Sequence, residues 1–407
     1  MTGPWVDSAG KAGSGGRPAG KGGSAGQPDL ARVIPLVRSP STGAVEDSFS
    51  AHFHPSRSER QPDGELPVEG LRTSGSHWSA QQHYEHTPAM LAEVVELFGA
   101  VSPGLVLDAT IGGGGHADAI LAAYPHLSVL GLDRDEQAVL AARARLERWG
   151  ERAVVVHSRF DDLACLPAAS AARLVGALFD LGVSSAQLDT PERGFSYRQD
   201  GPLDMRMDRS ESVTAAELVN TMSEATLVEL LMANGEGRFA RAIARSVLAA
   251  RPLQTTTQLA DAVARAVPAA ARRRGHPASR VFQALRSEVN AELDVLVPAI
   301  EHAVARLVPG GRCVVLSYQS NEDRLVKDSF NRAATGGCTC PRALGCVCGA
   351  QPWVRLLNRG ARMASSDERA VNRRAVAARL RAAERLDSPA DPDSPADPDS
   401  PPDRVGR

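Results

Sequence analysis

The run Leu105-Val-Leu-Asp108-Ala-Thr-Ile-Gly112-Gly-Gly-Gly115-His116 leaves this chain few choices of architecture. Three apolar residues make a short buried strand, Asp108 closes it, four glycines turn the chain, and Ala117-Asp-Ala-Ile-Leu121 opens a helix. Glycine at such a turn lets backbone approach a ligand closely, and the following helix offers unpaired N–H groups to it. As a bare pattern, Gly112-x-Gly114-x-x-Ala117 also fits a dinucleotide-binding turn. Asp108 argues against that: a carboxylate repels a pyrophosphate, yet attracts the ammonium of an amino-acid-bearing nucleotide such as S-adenosylmethionine. One strand later, Val129-Leu-Gly-Leu-Asp133 again ends in an acid, where a carboxylate can hold the two hydroxyls of a bound ribose. An ordinary α/β loop with two capping acids is the bland alternative.

The surrounding pattern extends this unit into an α/β, Rossmann-like sheet domain. Thr87 is placed to cap a helix with Pro88 at its first position, and after the glycine turn's helix another is expected from Asp135 to about Trp149. Val154–Val156 reads as the third strand, with Ser158-Arg159-Phe160 at its carboxyl end, where an adenine could be covered. Leu174–Phe179 reads as the fourth, closing on Asp180. Strands alternating with helices predict an open, mostly parallel sheet with its ligand at the carboxyl ends. Aromatic content of only 4% means that Val, Leu and Ala must fill the core.

From about 194 to 290 the rhythm turns wholly helical, which predicts an inserted all-helical domain. The expected helices are Ala215–Ala233, Phe239–Ala250, Thr257–Val267 and one from Ser279. Between Gly237 and Arg286 ten arginines face a single acid, Asp261, and Arg238, Arg241 and Arg245 recur at helical spacing. That is either an electrostatic footprint for a phosphate backbone or a solvated helix face. The sheet resumes at Arg312–Tyr318, Trp353–Leu357 is the expected last strand, and a basic helix from Glu368 to Leu386 is expected to close the fold. The sheet domain therefore comprises 79–193 and 291–386, around the insertion at 194–290. Residues 1–78 are Gly/Ser/Pro-rich and read as a disordered tail, or as the product of a start assigned too far upstream. Residues 387–407 read as a disordered acidic tail.

The formal charge of −2 by itself says nothing about a nucleic-acid partner. No apolar run approaches the roughly 18 residues needed to span a bilayer, and no secretory core is present, so a cytoplasmic protein without membrane attachment is expected. The six cysteines do not suggest a secreted disulfide framework. Cys338-x-Cys340 and Cys346-x-Cys348 could hold one zinc ion or be free surface thiols, and Cys165 and Cys313 read as packing residues. No metal is assigned to the catalytic chemistry.

Two constellations carry that chemistry. Asp180-Leu-Gly182-Val-Ser184-Ser185-x-Gln187-Leu-Asp189 runs from a strand end into a loop beside the expected nucleotide. An acid there can accept a hydrogen bond from an exocyclic base amine and aim its lone pair at a methyl sulfonium, where alignment matters more than basicity. The second, Arg193-Gly-Phe195-Ser-Tyr197 through Asp200-Gly-Pro-Leu-Asp204-Met-Arg206-Met-Asp208, suits a lid over a flipped base, or a rigid Asp-capped loop.

These two runs resemble the bacterial RsmH (MraW) family, as do His86-Thr-Pro, Gly114-Gly-His116, Asp133-Arg-Asp135, Gly237-Arg-Phe-Ala, His276-Pro-Ala-Ser-Arg280 and Ser317-Tyr-Gln-Ser. The resemblance spans about 83–386. It implies a class I methyltransferase that uses S-adenosylmethionine to methylate N4 of a cytidine in the decoding region of small-subunit ribosomal RNA. The substrate would be that RNA inside an assembled or assembling small subunit, and a homodimer is compatible with it. The same resemblance implies cofactor contacts at Gly114, Gly115, His116, Asp133, Phe160, Asp180 and Gln187, with Asp180 also catalytic. Departures from the family pattern are Gly235-Glu-Gly237-Arg, Asn321 and Asn372-Arg373-Arg374. A nucleotide-dependent oxidoreductase fits poorly with Asp108. A DNA amino-methyltransferase would carry Pro-Pro-aromatic where Leu181-Gly182-Val183 stands. A non-catalytic RNA-binding assembly factor remains the rival from another class.

Overall fold

A computed structural model of the chain describes residues 87–165, 173–272, 276–341 and 346–387. The expectations for 1–78, for His83–His86 and for residues 388–407 lie outside the described residues. Among the described residues, no helix is long and apolar enough to cross a membrane.

The chain begins with α1 (Leu91–Phe98), β1 (Gly104–Asp108), α2 (Gly115–Ala123), β2 (Leu127–Asp133) and α3 (Glu136–Leu146). β3 (Ala153–His157) and β4 (Leu174–Asp180) follow, the latter leading into the short α4 (Ser185–Asp189). Six helices come next: α5 (Ala215–Thr221), α6 (Glu224–Ala233), α7 (Ala240–Ala249), α8 (Thr256–Ala266), α9 (Ala269–Arg272) and α10 (Ala278–Val289). The sheet is completed through α11 (Glu292–Ala305), β5 (Leu307–Ser317), α12 (Ser320–Thr335), β6 (Val354–Leu356), β7 (Arg362–Met363), α13 (Ser366–Val371) and β8 (Arg379–Arg385).

The strand order is β3-β2-β1-β4-β5-β8-β6, with β7 pairing on β8. The first five are mutually parallel and β8 is antiparallel to its neighbours. Alternation along the strands sends successive side chains to opposite faces. Val106, Leu178 and Val314 join the core under α1, α2 and α3, whereas Leu107, Phe179 and Val315 pack with Leu296, Ile300, Val326 and Phe330 of α11 and α12. The helices between β4 and β5 share a third apolar cluster, in which Leu227, Leu231, Ile243, Val247, Leu259, Val263, Phe282 and Leu285 meet.

Four local expectations need correction. Helix α1 starts at Leu91 rather than at Thr87–Pro88, because Met90 sits in the left-handed region (φ 53°) and its N–H donates to Glu368 Oε1 at 2.7 Å. The stretch expected as one helix, 215–233, breaks where Ser223 caps α6, and 195–213 is loop rather than helix. Trp353–Leu357 supplies a three-residue strand, β6, but it is not the last. The final basic segment is not a helix from Glu368: after α13 it becomes strand β8, inserted between β5 and β6. Arg, Leu and Ala favour a helix intrinsically, but the free edge of β5 supplies a full ladder from Arg312↔Glu384 to Ser317↔Arg379.

The segment read as a lid is clamped. Arg193, 3% exposed, donates to Asp135 Oδ2 at 2.8 Å and to the carbonyls of Arg206 and Met207 at 3.0 Å each. Asn290 holds the same stretch from the other side, accepting from Met207 N and donating to Met205 O, both at 2.8 Å. Removing one member of a buried ion pair leaves the other desolvated and unmatched, a loss of about 3–5 kcal/mol. Arg193→Ala is therefore expected to lower unfolding stability by about that amount in urea titration, and the Asp135→Ala/Arg193→Ala double variant by less than the sum of the two singles. Strict additivity in that cycle would show the pair to be uncoupled.

Candidate active site

The carboxyl ends of β1, β2 and β4 open onto a cavity of about 760 Å³, within the usual range for small-ligand sites. Its shape starts in the glycine turn. Gly112 (φ 51°) and Gly114 (φ 76°) both occupy the left-handed region, which a side chain would disfavour. Gly112 N donates to Asp133 Oδ2 at 2.9 Å, tying the turn to the end of β2. Gly115 and His116 line the cavity, whereas Gly114 does not; it forms the bend before α2 and packs toward Ala142 and Leu146.

Asp133, Phe160, Asp180 and Gln187 also line this cavity, so the residues named from sequence converge on one space. Asp133 Oδ1 accepts from Asp135 N at 2.9 Å, so each carboxylate oxygen takes one backbone N–H and keeps acceptor capacity for a ligand hydroxyl. Burial pushes its pKa up to about 6, against the opposing pull of those N–H groups. Phe160 offers a flat apolar wall, held edge-on by Phe179 with ring centroids 6.0 Å apart. Gln187 is buried and its amide is already engaged: Nε2 donates to Asp135 Oδ2 at 2.8 Å, and Oε1 accepts from Ser184 N at 2.9 Å. It therefore shapes the loop after β4.

Asp180 stands at the centre of a short polar relay. Its backbone N–H donates to Thr110 Oγ1 at 2.6 Å, fixing the strand end. Tyr318, just past β5, donates its hydroxyl to Asp180 Oδ1 at 2.7 Å. Burial, and then the charge of Asp180, hold the Tyr318 phenol well above its ordinary pKa, so it stays a donor at neutral pH. His116 Nδ1 lies 3.6 Å from Asp180 Oδ2, and its Nε2 is 3.1 Å from the carbonyl of Ala89. A carbonyl only accepts, so Nε2 carries hydrogen. Asp180 thus has Oδ1 held by Tyr318 and Oδ2 facing His116 Nδ1, at the cavity wall.

Asp108 corrects the sequence reading. It is 1% exposed and is not among the residues lining the cavity; Thr110 N donates to its Oδ1 at 3.3 Å. Burial, helped by the charges of Asp180 and Asp133, raises its pKa to about 8. It lies beneath the site, largely neutral at pH 7, and offers no carboxylate face to a ligand ammonium.

Sequence reasoning left Tyr318, Arg373 and Arg374 without a role of their own. Tyr318 was visible only as part of a motif; its place beside Asp180 follows from the pairing of β4 with β5. Arg373 and Arg374 line the cavity from the segment expected to be helical. Tyr197 also lines it and stacks on His276, with centroids 4.6 Å apart and planes at 14°.

The basic insertion divides in two. Arg286 is buried between Glu292 and Glu322, Arg280 pairs with Glu236, and Arg251 and Arg272 bond backbone carbonyls. Arg238, Arg241, Arg245 and Arg265 are exposed, and Arg272 and Arg280 stay exposed while holding their bonds. The exposed set is what can meet a phosphate backbone.

A family model described as the MraW methylase family matches residues 83–386. A protein of Kocuria rhizophila named ribosomal RNA small subunit methyltransferase H is 48% identical over 317 residues, covering 75% of this chain and 95% of the relative. Relatives of the same name from Thermobifida fusca and Frankia alni are 47% and 50% identical, covering 77% and 74% of this chain and 98% and 94% of themselves. With the glycine turn, the acid at each strand end and the clamped loop all inside the matched region, this chain belongs to the MraW methylase family.

Proposed function

We propose that this protein transfers a methyl group from S-adenosylmethionine to the exocyclic N4 amine of a cytidine in the decoding region of 16S small-subunit rRNA, in the cytoplasm. The observation that carries the reading is Asp180, at the end of β4 in the cavity wall, with one carboxylate oxygen held by Tyr318 and the other 3.6 Å from His116 Nδ1. The names of the relatives support the small-subunit rRNA as substrate.

The donor set fits such a cofactor. Asp133 has acceptor capacity for ribose hydroxyls, Phe160 gives an apolar face for adenine, and Gly115 with His116 admits close approach beside the α2 N-terminus. Gly114 would set that turn, and Gln187 would hold the loop against the ligand. When bound, S-adenosylmethionine supplies an electrophilic methyl group on a sulfonium.

Asp180 would accept a hydrogen bond from the cytosine amine through Oδ2. That bond draws the nitrogen lone pair out of ring conjugation and fixes its direction, and the carboxylate stabilises the positive charge that develops on nitrogen. Tyr318 keeps Asp180 in one rotamer. Tyr197, stacked on His276, and the clamped 194–208 segment would border the base. The exposed Arg238, Arg241, Arg245 and Arg265 would take RNA phosphates, with Arg373 and Arg374 at the cavity.

Small subunits lacking the mark, incubated with labelled cofactor beside naked rRNA, should yield N4-methylcytidine on nucleoside analysis. Cofactor binding without transfer to either substrate would favour a non-catalytic assembly role. In the same assay Asp180→Ala should cut turnover by roughly 10³-fold, a loss much larger than its effect on cofactor affinity; parent-like turnover would remove Asp180 from the mechanism.

Reversing Arg238 and Arg241 to Glu should raise the RNA KM several-fold and flatten its salt dependence, leaving the cofactor Kd unaltered. An unchanged RNA KM would reduce this face to solvated surface.

The raised pKa of Asp133 adds a pH signature. An acid with a value of about 6 is mostly neutral at pH 5 and charged at pH 7, and only the charged form accepts fully from ribose hydroxyls. Calorimetry should therefore show the cofactor Kd falling roughly tenfold from pH 5 to pH 7. Asp133→Asn should bind weakly with a flat profile; a parent-like slope in that variant would place the titration elsewhere.

A further inference from the structure

The loop between α12 and β6 does nothing in the site described above, yet it gathers four thiols. The sulfur atoms of Cys338, Cys340, Cys346 and Cys348 all lie within 4.8 Å of one another, and Cys338–Cys346 and Cys346–Cys348 are each 3.4 Å apart. Four sulfurs at about 2.3 Å around a tetrahedral zinc ion would be about 3.8 Å apart. The observed spacings bracket that value and exceed the roughly 2.05 Å of a disulfide. The N–H of Cys340 points at Cys338 Sγ, 3.4 Å away, a contact that stabilises a thiolate.

Among its described residues the loop packs no apolar core that would hold this shape. Its neck is closed by Trp353 N donating to Ala333 O and Gly337 N to Arg332 O, both at 2.9 Å. At Gly336 (φ 60°) a side chain would fall 2.2 Å from the carbonyl of Gln351, so the two ends of the loop touch. Within the loop, Val347 is 89% exposed, and Cys346 and Cys348 are exposed as well. A segment this short, with no buried apolar side chain among its described residues, needs a covalent or metal staple to converge.

We propose that Cys338, Cys340, Cys346 and Cys348 bind one structural zinc ion. Binding converts the four thiols to thiolates, releases their protons and involves no electron transfer. The site lies away from the methyl-transfer chemistry. Val354, which follows the loop, pairs with Arg385, next to Glu384↔Arg312, and Arg312 lies level with Gly176 on β4. That is the amino end of the parallel strands, four residues back from Asp180, or about 13 Å along β4. The metal would pin β6 and the end of α12 at the sheet edge, leaving the cofactor cavity untouched.

The full chain, purified reduced and without chelator, should carry about one zinc per chain by elemental analysis and native mass spectrometry. Cobalt(II) added to the metal-free protein should give the intense visible bands of a tetrahedral thiolate site. Cys338→Ser/Cys346→Ser should lose both signals while keeping parent-like S-adenosylmethionine affinity, and should be cut faster by protease between α12 and β6. A reduced metal-free parent that takes up neither zinc nor cobalt would overturn the proposal, as would two intact disulfides among these four residues in protein isolated under reducing conditions.

Discussion

The pairing of Asp135 with Arg193 is the constraint on which the functional end of this molecule depends. Asp135 accepts from Gln137 N to cap α3, from Gln187 Nε2 behind the β4 loop, and from Arg193 Nη1. Both charges are almost fully buried, so neither is tolerable without the other. One carboxylate therefore ties the end of β2 to the loop after β4 and, through Arg193, to the carbonyls of Arg206 and Met207. The nucleotide end and the base end of the cavity share a single anchor. Rigid supports of this kind keep a reacting pair aligned, which the proposed transfer to a weakly nucleophilic amine would need above all.

Around that anchor the acids are graded by burial. Asp108 lies deepest, with its pKa pushed to about 8; Asp133 is raised to about 6. Asp180 lines the opening and accepts from Tyr318. Three neighbouring carboxylates could not all be charged without mutual repulsion, and the deepest one is relieved by keeping its proton. Of the three, the cavity wall is left to Asp133 and Asp180, where a sulfonium and a base amine would sit.

The arginines show how composition and placement part company. Ten of them against one acid between Gly237 and Arg286 read as a footprint for a phosphate backbone or as a solvated helix face. Folding turns several inward: Arg286 joins Glu292 and Glu322, and Arg251 bonds two carbonyls. A guanidinium with its donors fixed in this way serves the fold and presents little field to an RNA. The departures from the family pattern are likewise absorbed: Glu236 pairs with Arg280, Asn321 donates to Asn234 Oδ1, and Asn372 donates to Thr87 O.

Much of what depended on local order was legible in the chain itself. The strand–glycine–helix turn, the acids ending β2 and β4, Phe160 and the helical stretch after Asp180 all rest on short-range periodicity and turn chemistry. Tertiary structure decided what depends on neighbours distant in sequence. Arg379–Arg385 reads locally as helix and becomes a strand because β5 has an unfilled edge. Asp108 reads as a ligand contact and is buried, because the loop after it folds over the strand end. Tyr318 reaches Asp180 across 138 residues only once β4 and β5 pair. The four cysteines are evenly suggestive as letters, and only the closed neck between α12 and β6 brings their sulfurs within 4.8 Å. Propensity acts over a few residues; sheet pairing and burial act across the whole chain, and here they placed the residues on which the chemistry turns.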